Sequence, residues 1–273
     1  SWGEDGYLHG ADGQPRFASG YYSYGGAEPP TETERLLGRD AANLFIRPAE
    51  LMPEPNMEIS NRSLARLLQA VGAMARSNVS LLVLRLTQDP RGGGGVPQWA
   101  IEQAPEMLCG RHVKNCTEHS INYDIDHPLA REIFARVLGA AVGPIVATIG
   151  GRVPFVFDVS GEPEFTNTSS RFTFKKYRAW LEQRYNGSLA ELSAAWHIPM
   201  RSFSDVDTVP SSPLDANVTI SHWIDWNMFN NGRVLAWYAW LRSQIRASAV
   251  EGRVMAYPAG PLLWGIYTRR PVQ

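Results

Sequence analysis

The side chains best placed for acid–base chemistry lie in one short stretch, Phe157-Asp158-Val159-Ser160-Gly161-Glu162-Pro163-Glu164-Phe165. The run Pro154 to Val159 reads as a strand, and Glu162 falls just past its C-terminal end. Barrel folds put their catalytic groups at that end of their strands. A hydrophobic strand beside Glu162 would partly desolvate its carboxyl, raise its pKa and suit it to general-acid work. A solvated turn carboxylate before Pro163 is the other reading of the same residues.

The two cysteines lie close together in Cys109-Gly110-Arg111-His112-Val113-Lys114-Asn115-Cys116-Thr117-Glu118-His119. The Cys-x2-His-x3-Cys-x2-His string offers four ligands of the kind zinc takes. It lacks the longer loop that structural zinc sites place between their pairs, and Asn115-Cys116-Thr117 is itself an N-glycosylation sequon. An oxidising compartment favours a Cys109–Cys116 disulfide over a metal. So short a ring would contribute about 2 to 3 kcal/mol and pin a loop. Sequons stand at Asn61, Asn78, Asn115, Asn167, Asn186 and Asn217. Composition alone would give about one or two. The excess points to a secreted, extracellular glycoprotein, with an accident of composition as the alternative. The opening Ser1-Trp2-Gly3 carries neither Met nor leader, as a trimmed N-terminus would.

Trp99, Trp223, Trp226 and Trp264 are candidate platforms for a sugar ring. Trp99 and Trp264 are kept with Asp158 as substrate-contacting candidates, whereas Trp237 and Trp240 read as core. The six histidines show no triad spacing, and His127 and His222 read as surface or satisfied residues. No Gly-x-Ser-x-Gly elbow is present. Gly92 to Gly95 is followed by no Gly-Lys-Ser/Thr and reads as a flexible loop rather than a phosphate cradle. These readings call for no cofactor and no metal.

Positioning Glu162 requires a scaffold, and the 273 residues are long enough for one large domain or two small ones. With 44% hydrophobic and 19% charged residues, disorder, collagen-like repeats and a coiled coil are excluded. A formal net charge of -1 makes no case for nucleic acid or a membrane surface. Apolar stretches such as Leu138 to Ile149 read as too short and interrupted to span a bilayer. Strands are expected at Arg16 to Tyr22, Asn43 to Ile46, Leu81 to Leu86, Pro154 to Val159 and Arg253 to Tyr257. Helices are expected at 31–39, 63–76, 128–138, 172–185, 188–196 and 223–248. This alternation is that of βα units around a parallel sheet in a single domain over 1–273.

The order of these pieces resembles the clan A glycoside hydrolases, most closely the family 42 β-galactosidases. Asp12-Gly13-Gln14-Pro15 is similar to the turn entering the family's first strand, Ala41 to Phe45 to its second, and Val96-Pro97-Gln98-Trp99 with Pro105 to Leu108 to the loop after its third. Glu162-Pro163 resembles the end of its fourth strand. Phe174 to Trp196 is similar to its helix, short Tyr-Gly-Ser/Thr-Leu turn and Trp-ending segment. The resemblance implies a (β/α)8 TIM-barrel type of fold, incomplete here at about five βα units. It also implies retaining hydrolysis of a β-glycoside by two carboxylates about 5 Å apart, with Glu162 as acid/base. Two departures stand out: Gly161 replaces the family's Asn, and the family's nucleophile belongs to a seventh strand. The resemblance thus implies a carbohydrate ligand and another chain or segment completing the barrel. The same fold used as an inactive structural or carbohydrate-binding glycoprotein is the competing expectation.

Overall fold

In the computed structural model the described residues are 7–10, 12–17, 31–37, 41–45, 51–77, 79–85, 96–107, 123–158, 170–208, 210, 218–248 and 256–257. At 34–35, 42–45, 85 and 256–257 only the backbone is described. Four strands, β1 (Ala41–Phe45), β2 (Leu81–Arg85), β3 (Phe155–Asp158) and β4 (Ala256–Tyr257), form one parallel sheet in the order β1-β2-β3-β4. Parallel neighbours need a crossover between them, usually helical. The helices in the connections are α2 (Asn61–Arg76) before β2, α3 (Gln98–Gln103) and α4 (Pro128–Ile149) before β3, and α5 (Arg171–Arg184), α6 (Leu189–Trp196) and α7 (Ile220–Ser248) before β4. A short α1 (Glu32–Leu36) precedes β1.

Such crossovers are right-handed in nearly all proteins. When strand order follows chain order, every crossover then lies on the same face of the sheet. The contacts agree. A Cβ at Gly72 of α2 would lie 3.4 Å from Thr148 Cγ2 of α4, and one at Gly143 of α4 would lie 3.2 Å from the Ser248 carbonyl oxygen of α7. Successive crossover helices therefore pack side by side. This is the winding of a (β/α)8 barrel, of which these strands are an incomplete set. Strands two to five of the sequence reading correspond to β1 to β4.

Local sequence explains three of the helix starts. Ser60, Ser170 and Ser188 cap α2, α5 and α6, each accepting a backbone N–H in the first turn. In α2 the buried residues Leu67, Val71, Met74 and Ala75 fall at helical spacing, as expected for one face turned to a core. The largest difference from expectation is α4, which does not stop at Leu138 but runs to Ile149 through Gly139, Gly143 and Pro144. Two glycines and a proline cost a helix interior roughly 5 kcal/mol. Full burial of Val142, Ile145 and Ile149 offsets this at about 1.5 to 3 kcal/mol each. At 22 residues α4 is also long and apolar enough to cross a membrane by length and composition, against the sequence reading. Its buried residues, Ala130, Ile133, Phe134, Val137, Leu138, Ala141, Val142, Ile145 and Ile149, form a single stripe, as on a helix packed against a core.

At the N-terminal end the turn at Asp12-Gly13 is present. His9 pairs with Pro15 in an antiparallel bridge, and Gly13 takes φ 73°. Arg16 and Phe17 lie outside any strand, with Phe17 95% exposed, so the expected first strand is absent from that part; 18–22 lie outside the described residues. Internal contacts divide the chain into two compact units: Ser1–Gln88, Ile133–Glu162 and Trp240–Ala259, which hold the sheet, and Asp89–Glu132, Pro163–Ala239 and Gly260–Gln273. The second unit has its own core of Phe174, Tyr177, Leu181, Leu192, Trp196, Val206, Trp226 and Phe229.

Within the sheet, Leu82, Leu84 and Phe157 are fully buried. Replacing Leu84 by Ala should lower the unfolding free energy by about 2 to 5 kcal/mol, whereas Phe17→Ala should change it by less than about 0.5 kcal/mol; urea titrations of both variants check the contrast.

Candidate active site

The sheet register aligns Arg85, at the end of β2, with Asp158, and Asp158 with Tyr257 of β4. Phe45 of β1 pairs with Arg85. These four residues form the last row of the sheet, at the C-terminal ends of all its strands. Asp158 is 3% exposed there. Along β2 and β3, Leu82, Leu84 and Phe157 are fully buried on one face, which they share with the half-buried Phe155. Leu81, Val83 and Val156 share the other face with Asp158 and are half-buried. Side chains alternate along a strand, so Asp158 belongs to the less covered face.

Glu162 lies outside the described residues, as do Trp264, Cys109, Cys116, Asn78, Asn115, Asn167 and Asn217. Residues 159–169 leave β3 at Asp158, and the chain resumes at Ser170, the N-cap of α5. The Ser170 hydroxyl donates to Asp124 Oδ2, and the Thr173 hydroxyl lies 2.9 Å from both Asp124 oxygens. Arg233 of α7 reaches the same group, with Nη2 3.6 Å from Asp124 Oδ1 and Nε 2.9 Å from Asp126 Oδ2. Lys176 Nζ lies 2.6 Å from Asp126 Oδ1. Two buried carboxylates against one buried guanidinium and one half-exposed ammonium make a neutral cluster. Buried charge is tolerated in that form.

Of the tryptophans, Trp99 is half-buried on α3. Trp226 is 1% exposed and packs on Tyr177 and Phe229, so it is core and not a sugar platform. Trp237 is likewise buried. His127 is also buried: its Nδ1 accepts from the Leu129 N–H and its Nε2 lies 3.6 Å from Glu106 Oε1. Glu106's own backbone amide, then His127 and Arg171, hold its carboxyl below the usual range.

His222 departs most from expectation. It is 3% exposed and stacked on Trp196 with ring centroids 3.9 Å apart, and among the described residues neither ring nitrogen makes a hydrogen bond of good geometry. Burial pushes its pKa down to about 4, with Asp225 and the Thr208 backbone opposing. Asp225 is itself the hub of this end of the second unit. It accepts from Trp196 Nε1 at 2.8 Å and the Tyr185 hydroxyl at 2.6 Å, and pairs with Arg184 Nε at 2.8 Å. Desolvation, with the bond to Asp225, pushes Tyr185 up to about 12. Sequence reasoning missed this hub, although a carboxylate inside the apolar run Trp223-Ile224-Asp225-Trp226 was a signal for it. Among the described residues, no group of three or more His, Cys, Asp or Glu side chains is placed to hold a metal ion.

The profile of glycoside hydrolase family 42, described as β-galactosidase, matches residues 90–259. No curated protein matches the chain. Among solved structures, the apo family 42 exo-carrageenase from Bacteroides ovatus superposes with a TM-score of 0.65 at 20% identity, covering 94% of this chain and 33% of that one. A catalytic mutant of a family 42 β-galactosidase from G. stearothermophilus gives 0.60 at 16% identity, covering 80% and 31%. The β-galactosidase from Bacillus circulans sp. alkalophilus gives 0.61 at 16%, covering 81% and 32%. The chain thus spans about a third of the length of these structures.

The buried neutral His222 makes stability pH-dependent. Its folded pKa lies below its ordinary 6.5, so the unfolded chain binds the proton more readily. This contribution is complete above about pH 6.5 and is lost as pH falls toward about 4. Urea midpoints at pH 7 and pH 5 should differ less in His222→Phe, which keeps the stacking on Trp196, than in the parent protein; equal differences would contradict the assignment.

Proposed function

The chain belongs to glycoside hydrolase family 42, and from that premise we propose that it forms the first part of an enzyme that hydrolyses a β-linked glycoside, a β-galactoside in the first instance. Glu162 is the acid/base. The observation that carries this reading is the position of β3 in a singly wound parallel sheet, its last residue Asp158 buried at the C-terminal edge and Glu162-Pro163 beginning four residues on in sequence.

In the retaining reaction Glu162 would give its proton to the glycosidic oxygen as the C1–O bond breaks and a second carboxylate bonds to C1. The Glu162 carboxylate would then take a proton from the water that displaces that carboxylate. The second carboxylate comes from further βα units that complete the barrel. The half-buried apolar residues Leu81, Val83 and Val156 on the face of Asp158 supply a surface for such units to cover. Trp99 is the described candidate for stacking on a sugar ring.

A second reading keeps the fold and the carbohydrate but not the turnover. Gly161 favours it, because the family's Asn supplies a 2-hydroxyl contact and such contacts contribute several kcal/mol to the transition state. The two readings separate on the full-length protein with an unactivated β-galactoside. Glu162→Gln should lower kcat/KM by about 10²- to 10⁴-fold, largely in kcat. Galactoside binding by calorimetry with no turnover in the parent protein would select the second reading; neither binding nor turnover would overturn both.

A further inference from the structure

Among the described residues outside sequons, Asn56, Asn227 and Asn230 are engaged in local structure, whereas the half-buried Asn231 makes no side-chain hydrogen bond. Asn56 Nδ2 donates to Glu58 Oε2 at 3.0 Å while its Oδ1 accepts from the Glu58 N–H. Asn227 Nδ2 donates to the Trp223 carbonyl at 2.7 Å, and Asn230 Oδ1 accepts from Arg233 at 3.0 Å. Asn61 and Asn186 are the sequon asparagines among the described residues. Both are exposed, and neither side chain makes a hydrogen bond within the described structure. A glycan needs an acceptor amide that points into water and supports nothing else.

The local backbone explains how Asn186 comes to be so placed. It follows the α5 C-cap Tyr185 with φ 50°, its N–H bonds to the Gln183 carbonyl at 3.2 Å, and the next residue's N–H bonds to the Glu182 carbonyl at 2.7 Å. This is the left-handed closing turn of a helix, which takes glycine or asparagine. Capping accounts for Asn186, and Ser188 two residues on caps α6, so what marks the pair as an acceptor is the exposed, unengaged Asn186 amide within the sequon. Asn61 is the first residue of α2, after the cap Ser60, and nothing in the cap uses its amide. Helix starts do not call for asparagine at that position.

We propose that Asn61 and Asn186 are N-glycosylation sites and that the protein passes through a secretory compartment. In the modification the asparagine Nδ2 bonds to C1 of an oligosaccharide carried on a polyprenyl diphosphate. The C1–O bond breaks, the diphosphate leaves with the electron pair, and Nδ2 gives up one proton. The inference stands apart from the hydrolase reading, since a glycan at these positions involves neither Asp158 nor Glu162.

The test uses the full-length protein recovered from a eukaryotic secretory host. Peptide N-glycosidase treatment in heavy-oxygen water should convert Asn61 and Asn186 to labelled Asp, read by mass spectrometry of the peptides. Asn186→Gly keeps the left-handed turn but removes the acceptor, so it should lose the mass of one glycan without a fall in thermal midpoint. Ser63→Ala should do the same at Asn61. Unlabelled Asn61 or Asn186 in the secreted parent protein overturns that site, and failure of both overturns the secretory assignment. Occupancy at each is read without any measurement of glycoside hydrolysis.

Discussion

Because β1 to β4 run parallel in chain order, each connection must carry the chain back past the sheet before the next strand can begin. Two consequences follow from this one constraint. The helices α2, α4 and the end of α7 lie in succession, with Gly72 and Gly143 permitting close approach. The strand ends that carry Arg85, Asp158 and Tyr257 all point the same way, so the segments leaving β2 and β3 start from a common edge. A doubly wound sheet would place its first strand in the middle and helices on both faces. The pairing observed here is incompatible with that arrangement.

The start of α5 is held by charge rather than by apolar packing alone. Asp124, Asp126, Thr173 and Arg233 are each below a tenth exposed, and Ser170 joins the network through Asp124. Burying such charges costs several kcal/mol per ion, so the net gain over an apolar replacement is small or negative. What the cluster provides is register: α5 begins where Ser170 can both cap it and reach Asp124, and α7 presents Arg233 to both carboxylates. Asp225 does the same for the turn between α5 and α6, collecting Arg184, Tyr185 and Trp196 on one carboxylate. Ser170, Thr173, Asp225 and Arg233 belong to the connection between β3 and β4, whereas Asp124 and Asp126 belong to the one between β2 and β3.

Much of this was legible in the residues. The spacing of Leu67, Val71 and Met74 marks α2, and the run Leu81 to Leu86 marks a strand, although the burial on both faces that such a run suggests holds only for Leu82 and Leu84, Leu81 and Val83 being half-buried. Glycine and proline in α4 concealed its last three turns, because local propensity cannot register the burial of Ile145 and Ile149 that outweighs it. The Pro97-capped α3 is too short to show a period. His222 was misread because one histidine in a helix gives no sign of whether its neighbours will hydrogen-bond to it or only stack on it. Asp158 falls at a strand end, yet its partners in the sheet lie more than 70 residues away in sequence, which no local pattern encodes.

The central claim is that β3 delivers Glu162 as the acid/base of a retaining glycosidase. The most direct measurement is proton NMR of the first sugar released from a β-galactoside by the full-length protein, before mutarotation. The account predicts the β anomer. Initial release of the α anomer would contradict it, because inversion requires a water-sized gap between the two carboxylates in place of a nucleophile in contact with C1.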